Sequence, residues 1–254
     1  MVITSIIVVM GLLGCLKSVC AFAWRGGMGS IYCRENEGRG IKGLKGQILR
    51  VCLTGGPCGG KTTVQGFVAE EFERMGWRVF RSPEVATIIL GGGVKYAEMN
   101  EDQRRRFQAD LLNLMMRIED VYNGIGGELA SRGENVIVVY DRGVMDCSAY
   151  LDKDEWRAVC SEAGVCSDEA RDKRYDCVIH LVSAAEGAPL YYGRDNNSAR
   201  SEDISEARVL EKRTREGWRG HRRVEVIDNS TDFEGKKRRV VEAILKYARE
   251  RGDA

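Results

Sequence analysis

The sequence has little with which to hold zinc. It carries two histidines, His180 and His221, and no two of its nine cysteines stand at C-x-x-C spacing. Structural zinc takes four Cys or His ligands, close-spaced in pairs, so this composition argues against such a centre. Net charge is also lacking: 39 basic residues meet 38 acidic ones, leaving +1. No global field then draws the chain to nucleic acid or to a membrane surface. The one long apolar run, VITSIIVVMGLLGCL, is shorter than the roughly 20 residues of a spanning helix, and no stable transmembrane segment is expected after processing. No internal repeat, second domain or N-K-x-D motif is visible, so guanine preference has no support in the sequence. What remains is a chain of 254 residues, 43% hydrophobic and 30% charged, of globular type and long enough to bury a core. Cys52 and Cys177 fall in apolar, strand-like runs and read as small hydrophobes in a reducing compartment.

The first 21 residues have the length of a signal-peptide core, with SVCA offering cleavage after Ala21. A basic region ahead of the core is missing apart from the amino terminus. Residues 22–46 are Gly-rich and basic, with Arg25, Arg34, Arg39, Lys42 and Lys45 against Glu35 and Glu37. They lack periodicity and read as disordered. The junction VCAFAW resembles that of two-part presequences that lead into complex plastids. A plastid destination, a plain secretory signal, a membrane-anchoring N-terminus and a cytoplasmic protein stay open as alternatives.

From residue 47 the pattern alternates. QILRVCLT, WRVFR, NVIVVYD, YDCVIHLV and RRVEVID read as five strands. Between them the spacing predicts a helix from Thr62 to Met75, a short one after Pro83, and a long one from Asn100 to about Leu129. Gly124, Gly126 and Gly127 are expected to interrupt the long one. A helix begins near Ile204, and another runs from Phe233 to Arg251. Strands separated by helices imply an α/β fold, a parallel sheet covered on both faces.

Gly55-Gly56-Pro57-Cys58-Gly59-Gly60-Lys61-Thr62 fits G-x-x-x-x-G-K-[ST] in full, between a buried strand and a helix. Glycines let backbone N–H groups curl round a phosphate, and the helix N-terminus adds a positive dipole end. Lys61 supplies a point charge to the phosphates, Thr62 a hydroxyl for Mg²⁺, and Thr63 closes the motif. The nucleotide is ATP or GTP, and Cys58 is a small loop residue. Asp141, at the end of the third strand, suits the Mg²⁺ shell beside Thr62. Arg142 follows it and suits a phosphate or the substrate; a carboxylate–arginine pair in a turn is the plainer reading. Asp146 is a third acidic candidate. Glu84 opens the helix after Pro83, where it can accept the proton of an attacking hydroxyl or simply face the helix dipole. Arg194 and Arg200 lie in a polar stretch suited to a lid, or to a solvated loop. Asp228, Asn229 and Ser230 edge a base pocket or form a turn. The runs EKRTREGWRGHRR and GKKRR suit acidic headgroups or solvated helix faces.

In order along the chain, TGGPCGGKTT, PEVAT, FQADLL, YDRGVMDCSAY, AAEGAPLYY, NNSARSEDISEAR and VIDNSTDFEGKKRR resemble one family. It is the P-loop AAA-type domain of NadR-type ribosylnicotinamide kinases and TRPL translocation defect proteins. The resemblance spans about Ile48 to Arg249 and is closer to the second branch. It implies a three-layer P-loop NTPase, kinase-like, with five strands in the order 2-3-1-4-5 and a small lid. It also implies GTP and phosphoinositide binding. Members of that branch commonly carry a C-terminal CYTH-like domain, whereas this sequence stops at KYARERGDA and offers the nucleotide-binding domain alone. Two functions follow. One is a Mg²⁺-dependent phosphotransferase acting on a small hydroxylated acceptor through Lys61, Glu84, Asp141, Arg142 and Arg200. The other is a nucleotide-dependent switch that engages a protein or an acidic phospholipid. Nucleic acid is not an expected partner of either.

Overall fold

The computed structural model describes residues 46–186 and 204–252. Strands β1 (Ile48–Thr54), β2 (Arg78–Ser82), β3 (Val136–Asp141), β4 (Cys177–Leu181) and β5 (Val224–Ile227) form one sheet. All four neighbouring pairs are parallel, and the order is β2-β3-β1-β4-β5. This is the α/β arrangement of a P-loop NTPase.

Alternation along the strands builds two cores. Leu49, Val51, Leu53, Ile137, Val139, Cys177, Ile179 and Leu181 point to one face. There they meet α1 (Lys61–Arg74) through Val64, Val68 and Phe72, and α7 (Phe233–Gly252) through Val240 and Ile244. Cys52, Val138, Tyr140 and Val178 point to the other face. There they meet α3 (Glu101–Ser131) and Trp218, just past α6 (Ile204–Gly217). Successive residues of a strand face opposite sides, so a sheet covered twice needs apolar residues at both parities.

The segment between β3 and β4 carries a 3₁₀ helix (Val144–Tyr150), α4 (Lys153–Ala163) and α5 (Ser167–Lys173). α4 carries apolar Trp156, Val159, Cys160 and Ala163 at helical spacing, and a capping box starts it: Asp152 accepts from Glu155 N–H, while Glu155 accepts from Asp152 N–H. The same device starts α3 at Asn100 and Gln103.

The expected interruption of the long helix does not occur. α3 runs unbroken for 31 residues through Gly124, Gly126 and Gly127. Packing explains this. A Cβ on Gly126 would stand 2.6 Å from Ile48 Cδ1, so this glycine marks where the helix approaches the sheet most closely. Gly124 and Gly127 face open space. Each is therefore expected to gain about 0.5–1 kcal/mol on replacement by alanine, because only chain entropy changes. Gly126→Ala should gain less, since Ile48 must move. Urea unfolding of the three variants checks this, and equal gains at all three sites would contradict the close approach.

The leader expectations for residues 1–45 lie outside the described residues. So does the lid expectation with Arg194 and Arg200, in 187–203. Among the described residues no helix is long and apolar enough to cross a membrane.

Candidate functional site

The sheet brings three strand ends level. Leu53 pairs with Asp141, and Thr54 with His180, in the ladders on either side of β1. The chain order reverses across β1, with β3 on one side and β4 on the other. That is the switch point where open parallel sheets bind ligands, beyond the strand C-termini.

The glycine-rich loop fills this position, leaving β1 and entering α1. Gly55 adopts φ +132°, and a Cβ there would lie 2.1 Å from the Leu181 carbonyl oxygen. No side chain fits between the loop and β4. α1 receives no side-chain cap at Gly60. Its first N–H groups have no partner within the helix and form an anion-binding end.

Lys61 is buried, 5% exposed, and its Nζ donates to the carbonyls of Gly55 at 2.9 Å and Gly56 at 2.8 Å. Burial lowers its pKa to about 8; Arg142 acts in the same direction, and Asp141 opposes it. Thr62 Oγ1 donates to Asp141 Oδ2 at 2.6 Å. Burial raises the Asp141 pKa, against the pull of Lys61. A hydroxyl and a buried carboxylate side by side are hard oxygen donors, and they fit a Mg²⁺ that draws its other ligands from phosphate and water. Thr63 follows on the exposed side of α1.

Arg142 leaves β3 with φ +78° and donates its N–H to Leu53 O at 2.9 Å. That conformation is uncommon for arginine and costs of order 1–3 kcal/mol, a kind of strain that clusters at functional sites. It turns the side chain across the loop. Nε donates to Glu84 Oε1, Nη1 reaches Gly55 O at 3.5 Å, and Nη1 stands 3.8 Å from Asp146 Oδ2. Glu84 is the residue just before α2 (Val85–Gly91), and its other oxygen accepts from Thr87 Oγ1 at 2.7 Å. Burial alone would raise the Glu84 pKa. Arg142, Lys61 and the two hydrogen bonds outweigh it and hold the carboxyl at about 2. Glu84 is therefore ionised at every working pH.

Asp146 sits beneath this pair. Its Oδ1 accepts from Thr54 Oγ1 at 2.5 Å and from Trp218 Nε1 at 2.7 Å. The geometry thus joins Lys61, Thr62, Glu84, Asp141, Arg142 and Asp146 at one sheet end. Asn229 makes a separate set of contacts past β5. The Asn229 amide donates to Ser183 O at 2.9 Å and Glu186 O at 2.6 Å, and its oxygen accepts from Lys236 at 2.8 Å. Asp228 is engaged by Ser230 and Arg239. These side chains tie β4, β5 and α7 together.

The two basic runs separate in the same way. In GKKRR, Lys236 is buried against Val182 O, Lys237 pairs with Glu234 over the Phe67 and Phe233 rings, and Arg239 pairs with Asp228. In EKRTREGWRGHRR, one helical face is buried. Glu211, Thr214 and Trp218 follow Ala207 at helical spacing, all within 3% of full burial. That spacing was legible beneath the charges. His180 beside Glu211 and Phe233 beside Gly60 carried no local signal.

A family model described as an AAA domain matches residues 50–236. None of the curated proteins matches the chain.

Proposed function

The chain belongs to this AAA-domain family of P-loop nucleotide-binding proteins, and on that basis we propose a Mg²⁺-dependent phosphotransferase, similar to NadR-type kinases, that uses ATP or GTP. Support comes chiefly from one observation: an ionised Glu84 paired with a strained, half-buried Arg142 against the phosphate loop. A simple nucleotide switch needs neither.

In this reading the loop from Gly55 to Thr62 holds the triphosphate, with Lys61 beside it. Thr62 and Asp141 would hold Mg²⁺, which neutralises phosphate charge when bound. Glu84 accepts a hydrogen bond from the acceptor hydroxyl and orients its oxygen. The oxygen forms a bond to the γ-phosphorus as the bond to the β-phosphate oxygen breaks. The hydroxyl proton passes to the Glu84 carboxylate. With its pKa near 2, Glu84 is a weak base and takes the proton late, which a loose transition state tolerates. Arg142 faces the charge that develops on the transferring group.

The base of the nucleotide rests on Phe233. Its ring is 42% exposed and lies against Gly60, where a Cβ would meet it at 2.6 Å. The polar atoms of Asn229 and Asp228 are engaged elsewhere, so stacking dominates and discrimination between purines is weak. Phe233→Ala is expected to weaken ATP and GTP alike, by about 5- to 150-fold for 1–3 kcal/mol of stacking. Competition titrations read this, and a loss confined to one nucleotide would contradict it.

The acceptor is tested with ATP and GTP in turn, plus Mg²⁺, across nucleosides including nicotinamide riboside. Acceptor-dependent turnover with stoichiometric phosphorylated product supports the kinase. Tight nucleotide binding with no such turnover favours the switch. A lipid-binding switch draws little support from GKKRR, whose Lys236, Lys237 and Arg239 are engaged within the fold.

A further inference from the structure

Glu211 lies in a run of charges, yet it is 3% exposed. Its Oε2 accepts from the Gly56 N–H at 2.7 Å and from the Ser183 N–H at 3.2 Å. Its Oε1 stands 2.6 Å from His180 Nε2. Burial would raise the Glu211 pKa, but His180 and the two N–H groups lower it overall, so the carboxylate is ionised and accepts all three bonds.

A buried anion behind an anion-binding loop opposes phosphate binding. A neutral oxygen could take the Gly56 N–H without that cost. What the carboxylate adds is strength and direction, since bonds to an ionised acceptor are shorter and roughly twice as strong. The direction matters through one peptide plane. A trans peptide is planar, so its N–H and C=O point opposite ways. Gly56 N–H and Gly55 C=O belong to the same unit. Glu211 holds the N–H from α6, and the carbonyl is thereby aimed into the site. There it meets Lys61 Nζ at 2.9 Å and Arg142 Nη1 at 3.5 Å. The fit allows no slack, because a Cβ on Gly56 would lie 2.6 Å from Glu211 Oε2.

We propose that Glu211 is the positioning residue of this site: by fixing the Gly55–Gly56 peptide plane it sets where Lys61 and Arg142 stand. The inference rests on the nucleotide-binding role of the loop. It makes α6 part of the site's geometry, although Glu211 touches no reacting atom.

Glu211→Met keeps the length but accepts neither the Gly56 nor the Ser183 N–H, which frees the plane. Titration of the full chain with a fluorescent ATP analogue and Mg²⁺ is expected to show about tenfold weaker affinity for the folded protein, about 1.4 kcal/mol. Glu119→Gln is the comparison. Glu119 is equally buried and accepts from Tyr175 at 2.5 Å, but it has no bond to the loop. It should lower the melting temperature and leave nucleotide affinity unchanged. If Glu211→Met does not fold, Glu211→Asp, one methylene short of Gly56, takes its place with the same expectation. Affinity within twofold of wild type, or an equal loss in Glu119→Gln, overturns the positioning role alone. A wild-type chain that binds no nucleotide overturns the functional reading as well.

Discussion

Lys61→Met is expected to lower nucleotide affinity and phosphoryl transfer together, with transfer falling by about 10²–10³-fold, the usual loss for one preorganised charge-stabilising group. Methionine keeps most of the aliphatic stem and removes the charge. Lys61 is buried, and burial holds its pKa down at about 8, so the ammonium is costly to keep in the nucleotide-free fold. The variant gives up two bonds, to Gly55 O and Gly56 O, and is relieved of that desolvation. The melting temperature without nucleotide should therefore change little, while the rise that nucleotide produces should disappear. Scanning calorimetry with and without ATP and Mg²⁺ reads both. A variant that melts early yet still gains stability from nucleotide would make Lys61 a structural residue.

Glu84→Gln is expected to separate binding from chemistry. Transfer to the acceptor should fall by about 10²–10⁴-fold, the range for loss of a positioned proton acceptor. Nucleotide affinity should stay within about twofold, because in the proposed role Glu84 contacts the acceptor hydroxyl rather than the nucleotide. Stability should fall too. The pair is half-buried, so the loss is below the roughly 3–5 kcal/mol of breaking a fully buried pair. Here the loss is softened, since the amide oxygen can still accept from Arg142, and Asp146 stands 3.8 Å from the guanidinium. Rapid-quench measurement of product alongside a nucleotide titration separates the effects. Transfer at the wild-type rate would leave Glu84 with no role beyond holding Arg142.

The phosphate loop was legible because its chemistry is contiguous: glycines, a lysine and a threonine, between an apolar strand and a helix. The sheet was legible because apolar residues at both strand parities mean cover on both faces, as Leu53 beside Cys52 and Val139 beside Tyr140 show. Glu84, Asp141 and Arg142 were readable as candidates, since strand ends next to such a loop are where ligands bind. Their pairing was not. Glu84 and Arg142 are separated by 58 positions, and Glu211 and Gly56 by 155. The partners of Asn229 were not legible, because a polar residue past a strand looks the same whether it faces a ligand or ties β4 to α7. The glycines of α3 misled because propensity alone counts them as breaks.

What the sequence determined by itself is the class of ligand and the layered fold, since both follow from local pattern: period two in strands, 3.6 in helices, and a loop that leaves room only for backbone. Only the tertiary structure decided which charges meet. The left-handed turn at Arg142 aims its guanidinium at Glu84, and the packing of α6 buries Glu211 behind Gly56. Both depend on distances between elements far apart in the chain. Burial then determines what those charges do, because a carboxylate or ammonium taken out of water answers to its nearest partner rather than to solvent.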